Sequence, residues 1–393
     1  MGKKSKKIHL LIWAIILLIT ACSEKEKSIE YINQELTQRL QNQADSIYST
    51  DSYVCPGVMV MIKAPDKNIN MIYYKGLANL NPVQSLNPSL QAMIGSNTKT
   101  FIVTILLQLA DQGLISLEDY LSEYRPEVPF SNQIKIKHLA YMSSGLNDYT
   151  QSESFRNQYI YNNIGQPISY NEIMEFIYAA SLKFVPGSQF DYCNTNTIIL
   201  TKIIEDITGN NIKTEIENRF LKPLSLKKTL YPESHGFPTN NHIHGYEDYL
   251  SPGILLDVSG IYHPSLFGGA GCMISNMYDM EKWVVRLANG ADISIEMKEA
   301  REEGVDIFPG IARYKTGVID ILGWYGHKGG LPGYSTLMMH HPENKSTVII
   351  IESSYEKAVD PLIHLLYIIQ TLYPESVNRI SKNQLLESFK MIH

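Results

Sequence analysis

Only four cysteines occur in 393 residues, at positions 22, 55, 193 and 272; the three beyond Cys22 do not make a disulfide framework, and their spacing fits no zinc pattern. No low-complexity tract, internal repeat, phosphate-binding glycine loop or dinucleotide fingerprint is present, so nothing implies a cofactor. Basic residues are the minority, with 34 Lys and Arg against 40 Asp and Glu. An acidic chain without basic clusters argues against a nucleic-acid partner. The apolar run at residues 8–20 is 13 residues long, too short to span a bilayer comfortably as a helix. What remains is an ordinary globular composition, 44% hydrophobic and 19% charged, long enough for one large domain or two small ones.

The start of the chain reads as a targeting segment. Lys3, Lys4, Lys6 and Lys7 precede the apolar run, and Ile19-Thr20-Ala21-Cys22 closes it. Small residues before a cysteine resemble the lipobox of bacterial lipoproteins, which implies cleavage before Cys22 and acylation of its thiol. Two or more acyl chains would anchor the protein to a membrane. Ser23 would direct it, in a Gram-negative cell, to the outer membrane, facing the periplasm or cell surface. Removing residues 1–21 takes four lysines and no acids, leaving 30 positive against 40 negative side chains. With Cys22 lipidated, at least one of the other three thiols is unpaired, and small buried hydrophobes are the expected role.

Periodicity divides the rest. Residues 22–50 read as a tether followed by a helix, with Ile29, Ile32, Leu36, Leu40, Ala44 and Ile47 at helical spacing. Strands are expected at 57–63 and 70–78, and again at 334–340 and 346–351 around a Pro342–Lys345 turn. Residues from about 113 to 246 read as mainly helical, with the clearest helices at 171–182 and 195–207, and further helices follow at 277–287 and 359–372. Strands at both ends with helices between predict an α+β fold. Its antiparallel sheet comes from the two chain ends, flanked by helices, with an inserted mostly helical region. The domain is expected to run over 51–375, with a tail at 376–393.

Chemistry concentrates in Ser96-Asn97-Thr98-Lys99, at the mouth of an apolar helix marked by Phe101, Ile102, Ile105, Leu106 and Leu109. Side chains three apart on a helix lie roughly 5–6 Å apart at Cβ, so the lysine amine can reach the serine hydroxyl. The helix start also offers free N–H groups suited to an oxyanion. Ser225-x-x-Lys228 and Ser354-x-x-Lys357 match the same pattern, so the motif alone does not choose. Two further stretches place polar residues on tight backbone: Tyr192-Cys193-Asn194 before a helix, and Gly326-His327-Lys328-Gly329-Gly330 entering the last hairpin.

The ordered set Ser96-x-x-Lys99, Tyr192-x-Asn194 and His327-x-Gly329 resembles the serine β-lactamase and penicillin-binding superfamily. The likeness is to its class C β-lactamase-like branch of esterases, D-Ala-D-Ala carboxypeptidases and D-aminopeptidases. It covers roughly residues 50–355 and includes the stretch 109–117, Ser144-Gly145-Leu146 and Pro223-Leu224. The resemblance implies a cofactor-free serine hydrolase acting through an acyl-enzyme on an ester, a D-amino-acid amide or a peptidoglycan-derived peptide. It implies Ser96 as nucleophile, Lys99 and Tyr192 as the proton-handling pair, and Asn194, His327, Gly329 and Gly330 as substrate-binding residues. The backbone N–H groups of Ser96 and Gly330 would form the oxyanion hole. Tyr192 is the expected base, although sequence does not decide between it and Lys99.

Departures shift the expected substrate. His327 stands where β-lactamases carry a lysine, and a histidine of ordinary pKa, about 6.5, is mostly neutral at pH 7. Recognition of a β-lactam carboxylate should then be weaker unless Lys328 or an arginine substitutes. Cys193 replaces a serine and is expected to pack. Lys315-Thr316-Gly317 is read as an earlier strand, and His340-His341 as a solvated turn. His242-x-His244 is read as a loop with surface histidines and not as a metal site. A β-lactamase is the neighbouring alternative, and a penicillin-binding sensor without turnover is the alternative of another class. Oligomeric state is left open.

Overall fold

The run Ser346–Glu352 (STVIIIE) lacks the polar alternation of a surface strand because both of its faces are covered. In the computed structural model, which describes residues 33–49, 55–237, 239–248, 250–251, 253–355 and 358–377, this run is an inner strand of a nine-stranded antiparallel sheet. Cys22, the expected signal segment and most of the expected tail lie outside the described residues. The strands are β1 Gly57–Ala64, β2 Ile69–Leu80, β3 Val83–Ser85, β4 Gly304–Phe308, β5 Ala312–Lys315, β6 Val318–Ile321, β7 Trp324–Leu331, β8 Tyr334–His341 and β9 Ser346–Glu352. Their order across the sheet is β3-β2-β1-β9-β8-β7-β6-β5-β4. The two chain ends meet where β1 pairs with β9, Val58 opposite Glu352 and Val60 opposite Ile350.

Successive strand residues point to opposite faces, so one strand feeds two cores. Val348 and Ile350 pack with Leu40 and Ala44 of helix α1 (33–47) and with Leu365 and Ile369 of a terminal helix, Pro361–Leu372. Ile349 and Ile351 pack on the opposite side with Phe101, Ile105, Ile199 and Trp283. Those residues belong to helices α2 (Thr98–Asp111), α3 (Asn194–Thr208) and α4 (Met277–Ala288). Helix α2 is buried nearly all round, with Thr98, Lys99, Thr100 and Thr104 buried along with its apolar residues. Burying a side chain of the Leu or Phe class contributes roughly 1.5–3 kcal/mol, so its register is firmly held. That rigidity reaches the turn preceding it.

Several expectations need correction. The helix expected at 171–182 is confined to Tyr170–Glu175. Beyond it the chain is drawn onto the Ser144-Gly145 loop, where Lys183 N–H donates to Gly145 O and Asn147 Nδ2 donates to Ser181 O. The inserted region carries only short helices apart from α3, notably Ile136–Ala140 and Ile212–Ile216. Lys315 ends β5, but Thr316-Gly317 is the turn into β6, with Gly317 at φ +76°. His340 and His341 are not in a solvated turn. They finish β8, where His340 is buried against Thr347. His242 is likewise buried, stacked between Phe237 and His244 at ring separations of 4.0 and 4.3 Å.

Candidate active site

Across residues 90–107 every residue is buried except Ser96. Ser96 sits in a tight turn, Gly95–Asn97, that leads directly into α2. The turn is pinned from below by Asn97, whose Nδ2 donates to Ile94 O and Thr336 Oγ1. It is backed by β7, which approaches so closely that a Cβ on Gly329 would lie 2.0 Å from Ile94 O. Gly95, at φ +54°, is similarly tight: a Cβ there would lie 2.7 Å from the Gly330 nitrogen. Gly330 borders the cavity above Ser96, whereas Gly329 is used for the close passage of backbone beneath the serine turn.

One turn into the helix, Lys99 is fully buried. Its Nζ has three oxygen neighbours: Ser96 Oγ at 2.9 Å, Asn194 Oδ1 at 2.8 Å and Ala270 O at 2.6 Å. The last contact depends on the passage of Gly268–Gly271 against α2 and α3. A Cβ on Gly269 would lie 2.0 Å from Thr201 Oγ1. Two of the three neighbours, an amide oxygen and a backbone carbonyl, can only accept. A neutral amine satisfies both with its two hydrogens and points its lone pair at the Ser96 hydroxyl. Burial, with Asp148 and Cys193 pulling the other way, brings Lys99 down to about 7. The neutral form is therefore well populated near neutrality.

Tyr192 lies over Lys99, with Nζ 5.0 Å from the ring centroid. Its hydroxyl is buried and, among the described residues, lies within hydrogen-bond geometry of no partner. Burial first, and Tyr314 next, push the phenol well above its ordinary value. Cys193 is buried, donates weakly to Leu146 O, and is pushed up to about 12 by burial, which suits a packing thiol.

Asn194 opens α3, and both ends of its amide are engaged by protein. Oδ1 accepts from Lys99, while Nδ2 donates to Asp148 Oδ2 at 2.8 Å and Thr150 Oγ1 at 3.2 Å. His327, on β7, is buried beside Tyr192. Its Nε2 lies 2.9 Å from the Tyr314 hydroxyl, and its Nδ1 contacts Lys328 O. Burial, then the Lys99 charge, hold it down to about 3, so it is neutral. Lys328 points through the sheet to Asp360, 3.0 Å away.

Of the residues expected from the sequence, Ser96, Tyr192, Asn194, His327 and Gly330 line one cavity of about 350 Å³, and Lys99 lies buried behind Ser96. Sequence reasoning missed Asp148, Ala270 and Tyr314. Asp148 carries a local signal, since an aspartate followed by Tyr-Thr suits an Asx turn. The other two have none. The competing motifs separate: Ser225 is exposed in a left-handed turn, and Ser354 is buried beyond β9. Among the described residues no group of three His, Cys, Asp or Glu side chains gathers as for a metal ion. His244 is instead held by Asp257, 2.6 Å away, and by Asn79.

A family model described as Beta-lactamase matches residues 33–372. Protein flp of Staphylococcus aureus is 24% identical over 351 residues, covering 84% of this chain and 66% of flp, so the chain spans just under two thirds of that relative's length. Among solved structures, a D-stereospecific amidohydrolase from Streptomyces sp. aligns with a TM-score of 0.75 at 22% identity, over 84% of this chain and 97% of that one. A D-amino acid amidase from Ochrobactrum anthropi aligns at 0.73 and 20% identity, over 89% and 100%. At these identities the structural likeness is one of fold.

Proposed function

The chain belongs to the beta-lactamase family, and from that premise we propose that it is a serine hydrolase forming an acyl-enzyme on Ser96, with an ester or D-amino-acid amide as substrate. The observation that carries this is the Lys99 amine, buried and brought down to about 7, with Ser96 Oγ 2.9 Å away. In this reading neutral Lys99 takes the hydroxyl proton as Ser96 Oγ attacks the substrate carbonyl. The oxyanion is received by the backbone N–H groups of Ser96 and Gly330, where losing one donor costs about 2.7–4 kcal/mol of barrier. Tyr192, held protonated by burial, donates to the leaving nitrogen or oxygen, and the Lys99 ammonium restores its proton. Water then hydrolyses the ester on Ser96.

The cavity supports an apolar acyl group. Tyr149, Phe155, Ile160, Tyr161, Phe267 and Tyr355 contribute to its wall. His327 is neutral and Lys328 turns away to Asp360, so β7 presents no cation to a substrate carboxylate. This favours amides and esters over β-lactams and carboxy-terminal peptides. The solved structures named as a D-stereospecific amidohydrolase and a D-amino acid amidase fit the same reading.

The test is labelling by a fluorophosphonate probe, with and without Ser96→Ala, followed by turnover of nitrophenyl esters, D-amino-acid amides and nitrocefin. Equal labelling of the parent and Ser96→Ala would remove Ser96 as nucleophile. Acylation of Ser96 without turnover of any substrate would favour a sensor. Anchoring through a lipidated Cys22 belongs to the same proposal. Incorporation of labelled fatty acid, lost in Cys22→Ser, tests it.

A further inference from the structure

Asp148 was not among the residues expected at the site, and its position is unusual for an acid in an acyl-transfer cavity. It is buried, about 5% exposed, and all four acceptor positions of its carboxylate are filled. Oδ1 accepts from Thr150 N at 2.9 Å and Thr150 Oγ1 at 2.8 Å. Oδ2 accepts from Asn194 N at 2.9 Å and Asn194 Nδ2 at 2.8 Å. The first pair fixes the rotamer through the turn Tyr149–Gln151, and the second reaches the start of α3.

We propose that Asp148 is a positioning residue that acts on Lys99 through Asn194, fixing the amide so that its oxygen faces the amine. This rests on the serine-hydrolase reading above. A carboxylate accepts and cannot donate, so the Asn194 NH₂ must face Asp148 and Oδ1 must face Lys99. With Oδ1 and Ala270 O both requiring hydrogens, Ser96 Oγ is the hydrogen-bonding neighbour left, among the described residues, for the Lys99 lone pair. An asparagine at 148 would let the Asn194 amide turn over and present NH₂ to the amine, which reverses that assignment.

Asp148 has a second, electrostatic effect. Its charge is the largest influence opposing the burial of the Lys99 ammonium, with Cys193 next. The other groups around the amine are Ser96, Tyr192 and neutral His327. Glu247 and Arg156 are further charged residues bordering the cavity, and Lys328 borders it with its ammonium held by Asp360. Removing the Asp148 charge disfavours the ammonium, so the Lys99 titration moves to lower pH.

The experiment follows the second-order rate of fluorophosphonate labelling from pH 5 to 10 in the full chain, its Asp148→Asn and Asp148→Glu variants, and Asn194→Leu. The probe reports on Ser96 without needing the natural substrate. Expected for Asp148→Asn are a plateau rate at least about tenfold lower and a rise whose midpoint falls by about one pH unit. Asp148→Glu keeps the charge and should keep the midpoint. A lost plateau alone would follow from any structural damage, whereas the midpoint would not move with it. If Asp148→Asn melts without cooperativity, Asn194→Leu decides: labelling falls at least tenfold, and a rate within twofold of the parent overturns the link. A folded Asp148→Asn with the parent midpoint also overturns it. If the parent itself is not labelled at Ser96, the failure lies with the hydrolase reading.

Discussion

The Tyr314 hydroxyl donates to Nε2 of His327 across 2.9 Å, and the same ring turns Nδ1–H onto the Lys328 carbonyl. A carbonyl only accepts, so Nδ1 carries the hydrogen and Nε2 the lone pair. Both ring nitrogens are thereby occupied by protein. His327 is a wall of the cavity, packed on Tyr192 and Tyr314 with ring centroids about 6 Å apart, and offers no polar group to a ligand.

Replacing Tyr314 by Phe should therefore cost stability. The ring is retained, but Nε2 is left buried without a donor, a loss of about 1–3 kcal/mol. Urea unfolding should show a lower midpoint at an unchanged slope. A variant as stable as the parent would mean that the bond contributes nothing net.

How much of this was legible beforehand follows from the distance over which each feature is encoded. Ser96 and Lys99 lie one helical turn apart, and the run from Phe101 to Leu109 announces the helix, so local spacing suffices. The meeting of β1 and β9 was legible because strand-like runs stood at the two ends with helices between. Tyr314 was not legible, since it reaches His327 only through the register of three strands: Tyr314 opposite Ile319, and Ile319 opposite Gly326. Asp148 and Asn194 are 46 positions apart and meet through a loop. The helix expected over 171–182 failed because contacts to Gly145 and Asn147 override its periodicity.

The choice between Lys99 and Tyr192 as base has a measurable signature. Lys99 acts as base in its neutral form and is brought down to about 7, chiefly by burial. Labelling of Ser96 should then rise with pH through about 7 and level off above it. Tyr192 is pushed well above its ordinary value of about 10, again chiefly by burial, so a tyrosinate base would place the rise in strongly alkaline solution. Lys99→Met should lower the plateau by about 10²–10⁴-fold. A rise confined to pH above 9 would assign the proton to Tyr192 instead.

On the other side of the sheet, Asp360 joins two elements. Oδ1 accepts from Leu362 N at the start of the terminal helix, and Oδ2 receives Lys328 Nζ. Asp360→Asn keeps the helix cap but leaves the Lys328 ammonium facing a neutral group inside the protein. Breaking a buried pair in this way costs about 3–5 kcal/mol. Burial lowers Lys328 already, so the variant can shed the proton as pH rises, and the loss should be smaller at pH 10 than at pH 7. Equal losses at the two pH values would mean that the charge is not the cause.

The same geometry bears on β-lactams. A β-lactam presents a carboxylate, and the cation expected to meet it on β7 is missing: His327 is neutral with both nitrogens engaged, and Lys328 is paired with Asp360. Arg156 lies at the cavity border, where its guanidinium donates to Gln151 O at 3.2 Å. Without a charge-assisted contact, worth about 1.5–3 kcal/mol, acylation by nitrocefin should be at least about tenfold less efficient than by an uncharged nitrophenyl ester. Lowering the pH to 5 should not rescue it, because a ring held down to about 3 stays unprotonated there. Nitrocefin turnover that matches the ester, or that climbs as the pH falls toward 5, would show that the cavity supplies a cation after all. Arg156→Ala would then identify its source.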